Sequence, residues 1–543
     1  RFEELDRVDL DTVFSILDVY CRTLLLDLEA SMVYLSRILR DEAFGGHPLT
    51  ATWVPRLVRK AAAFGPLDPQ PLGLAQRLTG DPALAQRLRR LALYDMESGL
   101  CDMRSTINKP DKLERKRARF MRLLKEKPGH IPAASMLLLL DFYQGVERGD
   151  WLDTLAVPKF FSEAWNQRLF LHLAGLGAAD EALALWEKLK HLPHCEVQLN
   201  LAAEMYAKLG HVEAALDCYR RSLGIDPSQY PVRLRMAELE HPFVPEASLP
   251  NEKDVSICLY SWNKADDLEK TLHGLARTNI GRARIRILLN GCTDRSREVV
   301  ESARALFPHN DYAWEAAPVN VGAPAARNWL GAMPEVRASE FVAYLDDDVE
   351  LPGNWLEYYL TIMERHPDTS VTGCKVVYSY EPRRIQYLHR RFSLARPGMI
   401  KLTDPNQVTQ MDCGHYDYIC ETDTVMGCCH LLRMAHMPDG PSFDLRYSPS
   451  QVDDIVHDLN LRLAGGVVRY CGLVRCIHHQ NTGAIFANTF TAAKLGQVIG
   501  NDTKFYYAFE DRLERIREVM RASVPRQAGE KPPPPLANGG EVR

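Results

Sequence analysis

The sequence predicts a multidomain chain, with an N-terminal all-α region of helical repeats followed by a Rossmann-like α/β domain. Three observations carry this reading. Apolar residues recur at three- and four-residue spacing through residues 1–245. A self-similar segment repeats at a 33-residue interval, from Gly177 to Gly210 and from Ala182 to Ala215. From Asp254 onward, short β-branched runs alternate with helical stretches, the texture of a mostly parallel sheet with helices on its faces.

The helical region opens at Leu10–Ala43, where Val13, Leu17, Tyr20, Leu24 and Leu28 form one apolar stripe; Pro48 and Pro55 punctuate the next stretch of chain. Ala83–Leu93 and Leu113–Lys125 are rich in Leu, Ala and Arg, which favour helix. The repeat then reads Leu173-Ala-Gly-Leu-Gly177 through Ala182 to Trp186, and again Tyr206-Ala-Lys-Leu-Gly210 through Ala215 to Tyr219, closing at Asp226-Pro227. A turn Gly, a small Ala where helices touch and an aromatic four residues later resemble the tetratricopeptide pattern. An upstream copy ends near Pro128. A generic array of helical hairpins is the competing reading. Either kind stacks into a solenoid whose concave face suits a partner.

In the second half, Val255–Tyr260, Arg284–Leu289 and Phe341–Leu345 read as strands, and Asp266–Ala276, Arg295–Leu306, Ala325–Met333 and Trp355–Arg365 as helices. Gly427–Met434, Val467–Cys471 and Val474–His478 add later strands, and Phe509–Arg521 a charged helix. The expected divisions are 1–115 and 116–245 (helical), 251–508 (α/β), 509–526 (C-terminal helix) and 527–543, a disordered tail with Pro532–Pro535.

Composition narrows the function. The 543 residues carry 66 Lys and Arg against 71 Asp and Glu, a net charge of −5, so no general nucleic-acid binder is expected. No run of about 20 apolar residues occurs, so no membrane-spanning helix is expected. The opening Arg1-Phe2-Glu3-Glu4 does not read as a secretory leader. The 13 cysteines include no Cys-x-x-Cys pair and fit a reducing compartment, hence a cytoplasmic setting, with peripheral contact to a membrane left open.

The sharpest chemical feature is Tyr344-Leu345-Asp346-Asp347-Asp348, three carboxylates directly after an apolar strand. Crowded like charges call for a cation, and carboxylates at the carboxyl end of a strand can hold Mg²⁺ or Mn²⁺ against a diphosphate. A solvated acidic turn is the plain alternative. Three flanking pieces weigh against it: Val255–Tyr260 running into Ser261-Trp262-Asn263-Lys264; Ile287-Leu-Leu into Asn290-Gly291-Cys292-Thr293-Asp294; and Asn320-Val-Gly322 into Ala326-Arg327-Asn328.

In this order and spacing, the four pieces are similar to those of a family-2 glycosyltransferase, over Val255 to His479. The resemblance implies a GT-A fold, a nucleotide-sugar donor (a UDP-sugar as the expected class), a Mn²⁺ or Mg²⁺ cofactor and an inverting transfer to a hydroxyl. It places Tyr260, Trp262 and Asn290 around the base and ribose, Arg327 toward the diphosphate, and Asn263, Asp294 and Asp347 among the donor-nucleotide contacts. Asp346 and Asp348 become the D-x-D metal ligands, with Asp348 the first choice. A late His completes such a shell, and His478 and His479 both qualify, although strand alternation lets only one serve. Gly427 and Trp355 fall on the acceptor side, and the polar loop His415-Tyr416-Asp417 is a further acceptor candidate. The acceptor's proton needs a base. The family places it in a Glu-Asp pair ahead of an Asp-Leu, here Asp458-Leu459; that pair would fall on Ile455-Val456, and the acids stand slightly earlier, as Asp453 and Asp454, with Asp454 preferred. Plain packing of Trp262, an ion pair of Arg327 within its own helix, and helix N-terminal acids at 453–454 are the bland alternatives. The sequence departs from the family pattern at Leu289, which stands where an acid is common.

The expected partners are a nucleotide-sugar donor and a protein or glycan acceptor, with the tetratricopeptide-like arm recruiting a protein and leaving the donor untouched. Two rival functions stay open: an interaction scaffold with a decayed transferase domain, and a nucleotidyltransferase. Leu259–Lys264 contains no Gly to form the latter's phosphate loop.

Overall fold

The computed structural model describes residues 5, 8–94, 110–192, 194–380, 383–396, 399–402, 410–479 and 492–523. The tail expected to be disordered, 527–543, lies outside them.

Thirteen α-helices precede the sheet among the described residues: α1 Leu10–Thr23, α2 Leu28–Arg40, α3 Thr50–Phe64, α4 Pro69–Thr79, α5 Pro82–Leu91, α6 Pro110–Glu126, α7 Ile131–Tyr143, α8 Ser162–Leu176, α9 Ala179–Leu189, α10 Glu196–Lys208, α11 Val212–Ile225, α12 Tyr230–Glu240 and the single turn α13 Leu249–Glu252. The single stripe read over Leu10–Ala43 is two helices. Leu24 leaves helical geometry, and the Asp27 carboxylate caps the second helix by accepting from Ala30 N. Pro55 lies inside α3 rather than ending it, because Trp53, Val54, Leu57 and Val58 bury one face of that helix.

The repeat is two helical hairpins, α8–α9 and α10–α11, with matching turns. Gly177 and Gly210 adopt φ of +75° and +79°. Behind them, Ala178 N donates to Leu173 O and His211 N to Tyr206 O, the same six-residue closure of a helix end. Ala182 and Ala215 are buried where the helices touch, and Trp186 and Tyr219 fill the layer beside them.

The α/β domain has strands β1 Val255–Ser261, β2 Arg284–Asn290, β3 Tyr312–Ala317, β4 Phe341–Leu345, β5 Val349–Glu350, β6 Thr369–Tyr378, β7 Ile385–Tyr387, β8 Phe392–Arg396, β9 Met399–Leu402, β10 Ile419–Thr422, β11 Cys429–Arg433 and β12 Val467–His478. The main sheet runs β10-β12-β6-β11-β4-β1-β2-β3, with β5 on β12 and β7 on β6; β8 and β9 form a separate hairpin. Strands β1–β4 are mutually parallel, whereas β11 runs antiparallel between β4 and β6. The chain leaves β1 toward β2 and returns to β4 on its other side. The carboxyl ends of β1 and β4 therefore border the switch point where open α/β sheets hold ligands.

The helical region is not a separate body. Ile385, Leu388, Tyr416, Tyr418 and Tyr470 of the α/β domain share one buried cluster with Val13, Phe14, Leu17, Tyr20, Leu35 and Leu57 of α1–α3. Segment 410–418 is seated against the helices. Leu25 N donates to Tyr416 Oη at 3.1 Å, Gln410 Nε2 to Leu25 O at 3.2 Å, and Arg235 Nη1 to Asp417 O at 3.1 Å. His415-Tyr416-Asp417, expected as an acceptor loop, also serves the junction between helices and sheet, and Asp417 lines the cleft beside that junction. Beneath them Lys375, buried in β6, is neutralised by Asp412 at 2.6 Å and by Asp417. No helix among the described residues is long and apolar enough to cross a membrane.

Candidate functional site

Strand β4 is buried along its whole length, so its end projects Asp346-Asp347-Asp348 at a fixed point. Asp346 N donates to Cys428 O at 2.9 Å, and Thr271 Oγ1 donates to Asp347 O at 3.0 Å. At the end of β12, His478 pairs in register with Val349. Its Nε2 lies 2.9 Å from Asp348 Oδ1 and 3.9 Å from Asp346 Oδ2. Ligand atoms of Asp346, Asp348 and His478 all lie within 4.8 Å of one another. His478 Nδ1 donates to Gln386 Oε1 at 3.0 Å, which leaves Nε2 as the atom facing the carboxylates. Two carboxylates and one oriented imidazole fit a hard or borderline divalent cation such as Mg²⁺ or Mn²⁺. His479 turns away. Its Nε2 pairs with Glu350 Oε1 at 2.7 Å, and only its backbone N–H reaches the cluster, at Asp348 O.

Lys264, in the loop after β1 and just ahead of helix Ala265–Leu275, binds Asp347 Oδ1 at 3.2 Å and Asp348 Oδ2 at 2.7 Å. Burial, opposed by Lys264 and reinforced by Asp348, pushes the Asp347 carboxyl up to about 6. Burial also raises Asp346. For Asp348, burial is outweighed by His478 and Lys264, which hold its carboxyl below the usual carboxylate range.

Tyr260 Oη donates to Asp346 Oδ1 at 3.2 Å. Trp262 is 53% exposed, a ring face open to solvent beside the cluster's loop. Asn263 holds φ of +52° and accepts from Thr293 N at 2.7 Å, tying the loops after β1 and β2. Asn290 and Asp294 are spent on the protein's own turns. Asn290 Oδ1 accepts from Val321 N at 2.9 Å and its Nδ2 donates to Asn320 Oδ1 at 3.0 Å. Asp294 accepts from Ala265 N at 3.0 Å and Ser296 N at 3.1 Å. Leu289 is packed in the core of the domain, which accounts for an apolar residue there.

Arg327 joins the two halves of the site. It is buried, pairs with Asp453, lies 3.5 Å from Asp346 Oδ1 and donates to Gly427 O at 3.2 Å. Its guanidinium sits 5.4 Å from the Tyr260 ring centre and 5.3 Å from that of Phe443. Its acid partner thus comes from a distant helix, Asp453–Leu463, and not from its own. Burial raises the Asp453 carboxyl despite Arg327. Asp454, less buried, accepts from Gly427 N and Ile455 N, each at 2.9 Å. A Cβ on Gly427 would stand 2.9 Å from Arg327 Nη2 and 3.1 Å from Asp454 Cβ, so any larger residue would displace the Arg327 guanidinium. Asp458 is a buried brace that accepts from Val425 N at 3.0 Å. Trp355, expected on the acceptor side, is wholly buried in the core and donates its indole N–H to Thr278 Oγ1 at 3.2 Å; its burial removes it from any acceptor surface. The sequence alone assigns no role to Lys264 or Gln386, since a lone amide or lysine gives no signal until folding supplies its partner.

Residues 256–423 match the sequence profile of glycosyl transferase family 2; Gly427, the acid pair and His478 lie beyond that span. No curated protein matches the sequence. Among solved structures, GalNAc-T7 with UDP, GalNAc and Mn²⁺ is 13% identical over 42% of this chain, with a TM-score of 0.34. The chain spans 44% of that protein's length. S. aureus TarS 1-349 in complex with UDP is 13% identical over 41% of this chain and 60% of its own, with a TM-score of 0.30. Mannosyltransferase PcManGT from Pyrobaculum calidifontis, in complex with GDP-Man and Mn²⁺, is 13% identical over 57% of this chain and 85% of its own, with a TM-score of 0.34. The profile match covers β1 through Asp346–Asp348 to the end of β10, so this chain carries a glycosyl transferase family 2 domain.

Proposed function

We propose that this protein is an inverting, metal-dependent glycosyltransferase that moves a sugar from a nucleotide-sugar donor, a UDP-sugar by preference, to an acceptor hydroxyl. The supporting observation is the Asp346–Asp348–His478 cluster at the switch point of a family-2 domain, joined through Arg327 to the acid pair. A bound Mn²⁺ or Mg²⁺ would be held by these three side chains and would neutralise the donor's diphosphate. Lys264 keeps Asp347 and Asp348 charge-balanced and in place. Trp262 offers its exposed face to the base. Arg327 fixes Asp453, and its buried Nε, unpaired among the described residues, is a donor available to the diphosphate.

Asp454 is the proposed base. Asp453 is committed to Arg327, whereas Asp454 is more accessible and keeps acceptor lone pairs beyond its two backbone bonds. Proton removal by Asp454, with attack opposite the leaving nucleotide, gives inversion in one displacement. The arm's share in this reading is a protein or glycan acceptor, met at the cleft of about 560 Å³ between α10 and β12, whose lining includes Glu204, Lys208, Arg235, Glu350 and Arg475. Glu350 connects that cleft, through His479, to the Asp348 carbonyl.

Asp454→Asn removes the base and keeps its shape. Mn²⁺-dependent hydrolysis across a panel of UDP- and GDP-sugars is expected to fall about 10²–10⁴-fold, the usual contribution of a positioned general base. UDP affinity, measured by calorimetry with Mn²⁺ present, is expected to stay at the parent value. Hydrolysis at the parent rate would remove Asp454 from this role.

A further inference from the structure

The acid pair follows an unusual piece of backbone. Gln451 and Val452 have φ of +79° and +73°. A β-branched residue avoids this left-handed region, so something outside the loop must impose it. Four consecutive carbonyls here are bonded from other elements or from the helix that comes next. Pro449 O accepts from Ala323 N at 2.8 Å, at the head of the helix that carries Arg327. Ser450 O accepts from Gln497 Nε2 at 3.0 Å and from Asn501 Nδ2 at 3.1 Å. Gln451 O accepts from the same Asn501 amide at 3.3 Å. Val452 O accepts from Val456 N at 2.9 Å, which starts the helix of the acid pair.

We propose that Asn501, on helix Ala492–Phe509, is a positioning residue for the transfer reaction: its amide clamps the strained Ser450–Val452 loop and so fixes where Asp453 and Asp454 stand. Asn501 is 1% exposed. A single amide spans the carbonyls of both Ser450 and Gln451, so it fixes the peptide plane between them, and with it the left-handed entry to the helix. Its Oδ1 accepts from Lys504 Nζ at 3.4 Å, and Lys504 also donates to Arg446 O at 2.7 Å, which extends the clamp upstream. Gln497, one turn earlier and more exposed, adds a second bond to Ser450 O. Without the clamp, Gln451 and Val452 relax toward negative φ. The first helical turn then rotates and the Asp454 bond to Gly427 N loses its alignment, while Arg327 stays held by Gly427 O. The proposal rests on the transferase reading, since only there does the pose of the acid pair matter to rate.

The test uses the full chain and the variants Asn501→Asp and Gln497→Ala. Asn501→Asp keeps the shape but sets a carboxylate against two carbonyl oxygens. Amide hydrogen exchange across residues 450–456 is expected to quicken about tenfold or more, while β1 and β4 stay protected. The kcat for Mn²⁺-dependent UDP-sugar hydrolysis is expected to fall about 100-fold, the effect of a displaced catalytic group. UDP affinity in the presence of Mn²⁺ is expected to hold at the parent value, which general destabilisation would not allow. Gln497→Ala, near the surface, is expected to show the same local exchange pattern to a smaller degree. Unchanged exchange in both variants overturns the proposal. So does faster exchange with undiminished hydrolysis in a protein that Asp454→Asn inactivates. If Asp454→Asn is as active as the parent, or the parent hydrolyses no sugar nucleotide, the transferase reading is what falls. The exchange result then still decides whether Asn501 holds the loop.

Discussion

Asp348→Asn is expected to lower Mn²⁺-dependent sugar-nucleotide hydrolysis at least about a thousandfold, the kinetic equivalent of several kcal/mol of lost charge stabilisation. Asp348 is 2% exposed and is the one carboxylate that meets both Lys264, at 2.7 Å, and His478, at 2.9 Å. The substitution leaves one carboxylate and one imidazole as ligands. It also leaves Lys264 with Asp347 as its one carboxylate partner among the described residues, so a cation must compete with a less fully neutralised ammonium. The fold is expected to persist, because the loop is fixed by backbone bonds independent of the carboxylate: Thr271 Oγ1 to Asp347 O, and Val349 N to Thr271 Oγ1, each at 3.0 Å. Initial rates alongside circular dichroism check both halves. A variant within a few-fold of the parent contradicts the assignment.

A chain beginning at Pro250 is expected to be insoluble or aggregated, the reverse of what the sequence alone suggests. Every motif residue lies after Val255, and on that ground the domain reads as self-sufficient. The structure continues the hydrophobic core across that boundary. Removing the arm exposes Ile385, Leu388, Tyr416, Tyr418 and Tyr470, all at most 5% exposed in the full chain. At about 1.5–3 kcal/mol per side chain the loss is roughly 10 kcal/mol, comparable to the net stability of a whole domain. The truncation also strips Arg235 from Asp417 O and Leu25 N from Tyr416 Oη. Soluble yield and size-exclusion chromatography test this; a monodisperse truncated chain with the parent's hydrolysis rate would show that the interface is dispensable.

What the sequence discloses is local, and what it hides is supplied from elsewhere in the chain. Strand Phe341–Leu345 and helix Trp355–Arg365 emerge at the boundaries read from the sequence, because an unbroken apolar run and a clean helical stripe each declare themselves within a few residues. Strand β6 is not legible. Its Lys375 is a poor strand signal until Asp412 and Asp417 arrive to neutralise it. Val467–Cys471 and Val474–His478 read as two strands but form one, with the pairing to β6 shifting register between Cys471 and Arg475. A bulge carries a strand through such an interruption, and Gly472 there lets Tyr416 O approach where any Cβ would collide. Helix Ala492–Phe509 is equally silent in the sequence, and the charged C-terminal helix begins at Leu513 rather than Phe509.

The site obeys the same rule. The Asp346–Asp348 cluster and Arg327 are brought together from motifs readable one by one, and Lys264 acquires its role only when folding sets it against the acids. Alternation alone leaves the choice between His478 and His479 open, and Gln386, 92 residues away, settles which ring faces the carboxylates. Asn290, Asp294 and Trp355 have the right residue types in the right places along the chain. Trp355 is nevertheless consumed by core packing, and Asn290 and Asp294 also close loops, which no linear pattern reveals.

The most direct test of the central claim is a titration of the full chain with Mn²⁺, monitored by electron paramagnetic resonance of the unbound ion, in parent, His478→Ala and His479→Ala proteins with UDP present. The parent is expected to bind one Mn²⁺ per chain, with binding weakened about 10–100-fold or more in His478→Ala, at least the effect of disturbing a ligand's support, and unchanged in His479→Ala. No Mn²⁺ bound by the parent, or loss in His479→Ala with retention in His478→Ala, would contradict it.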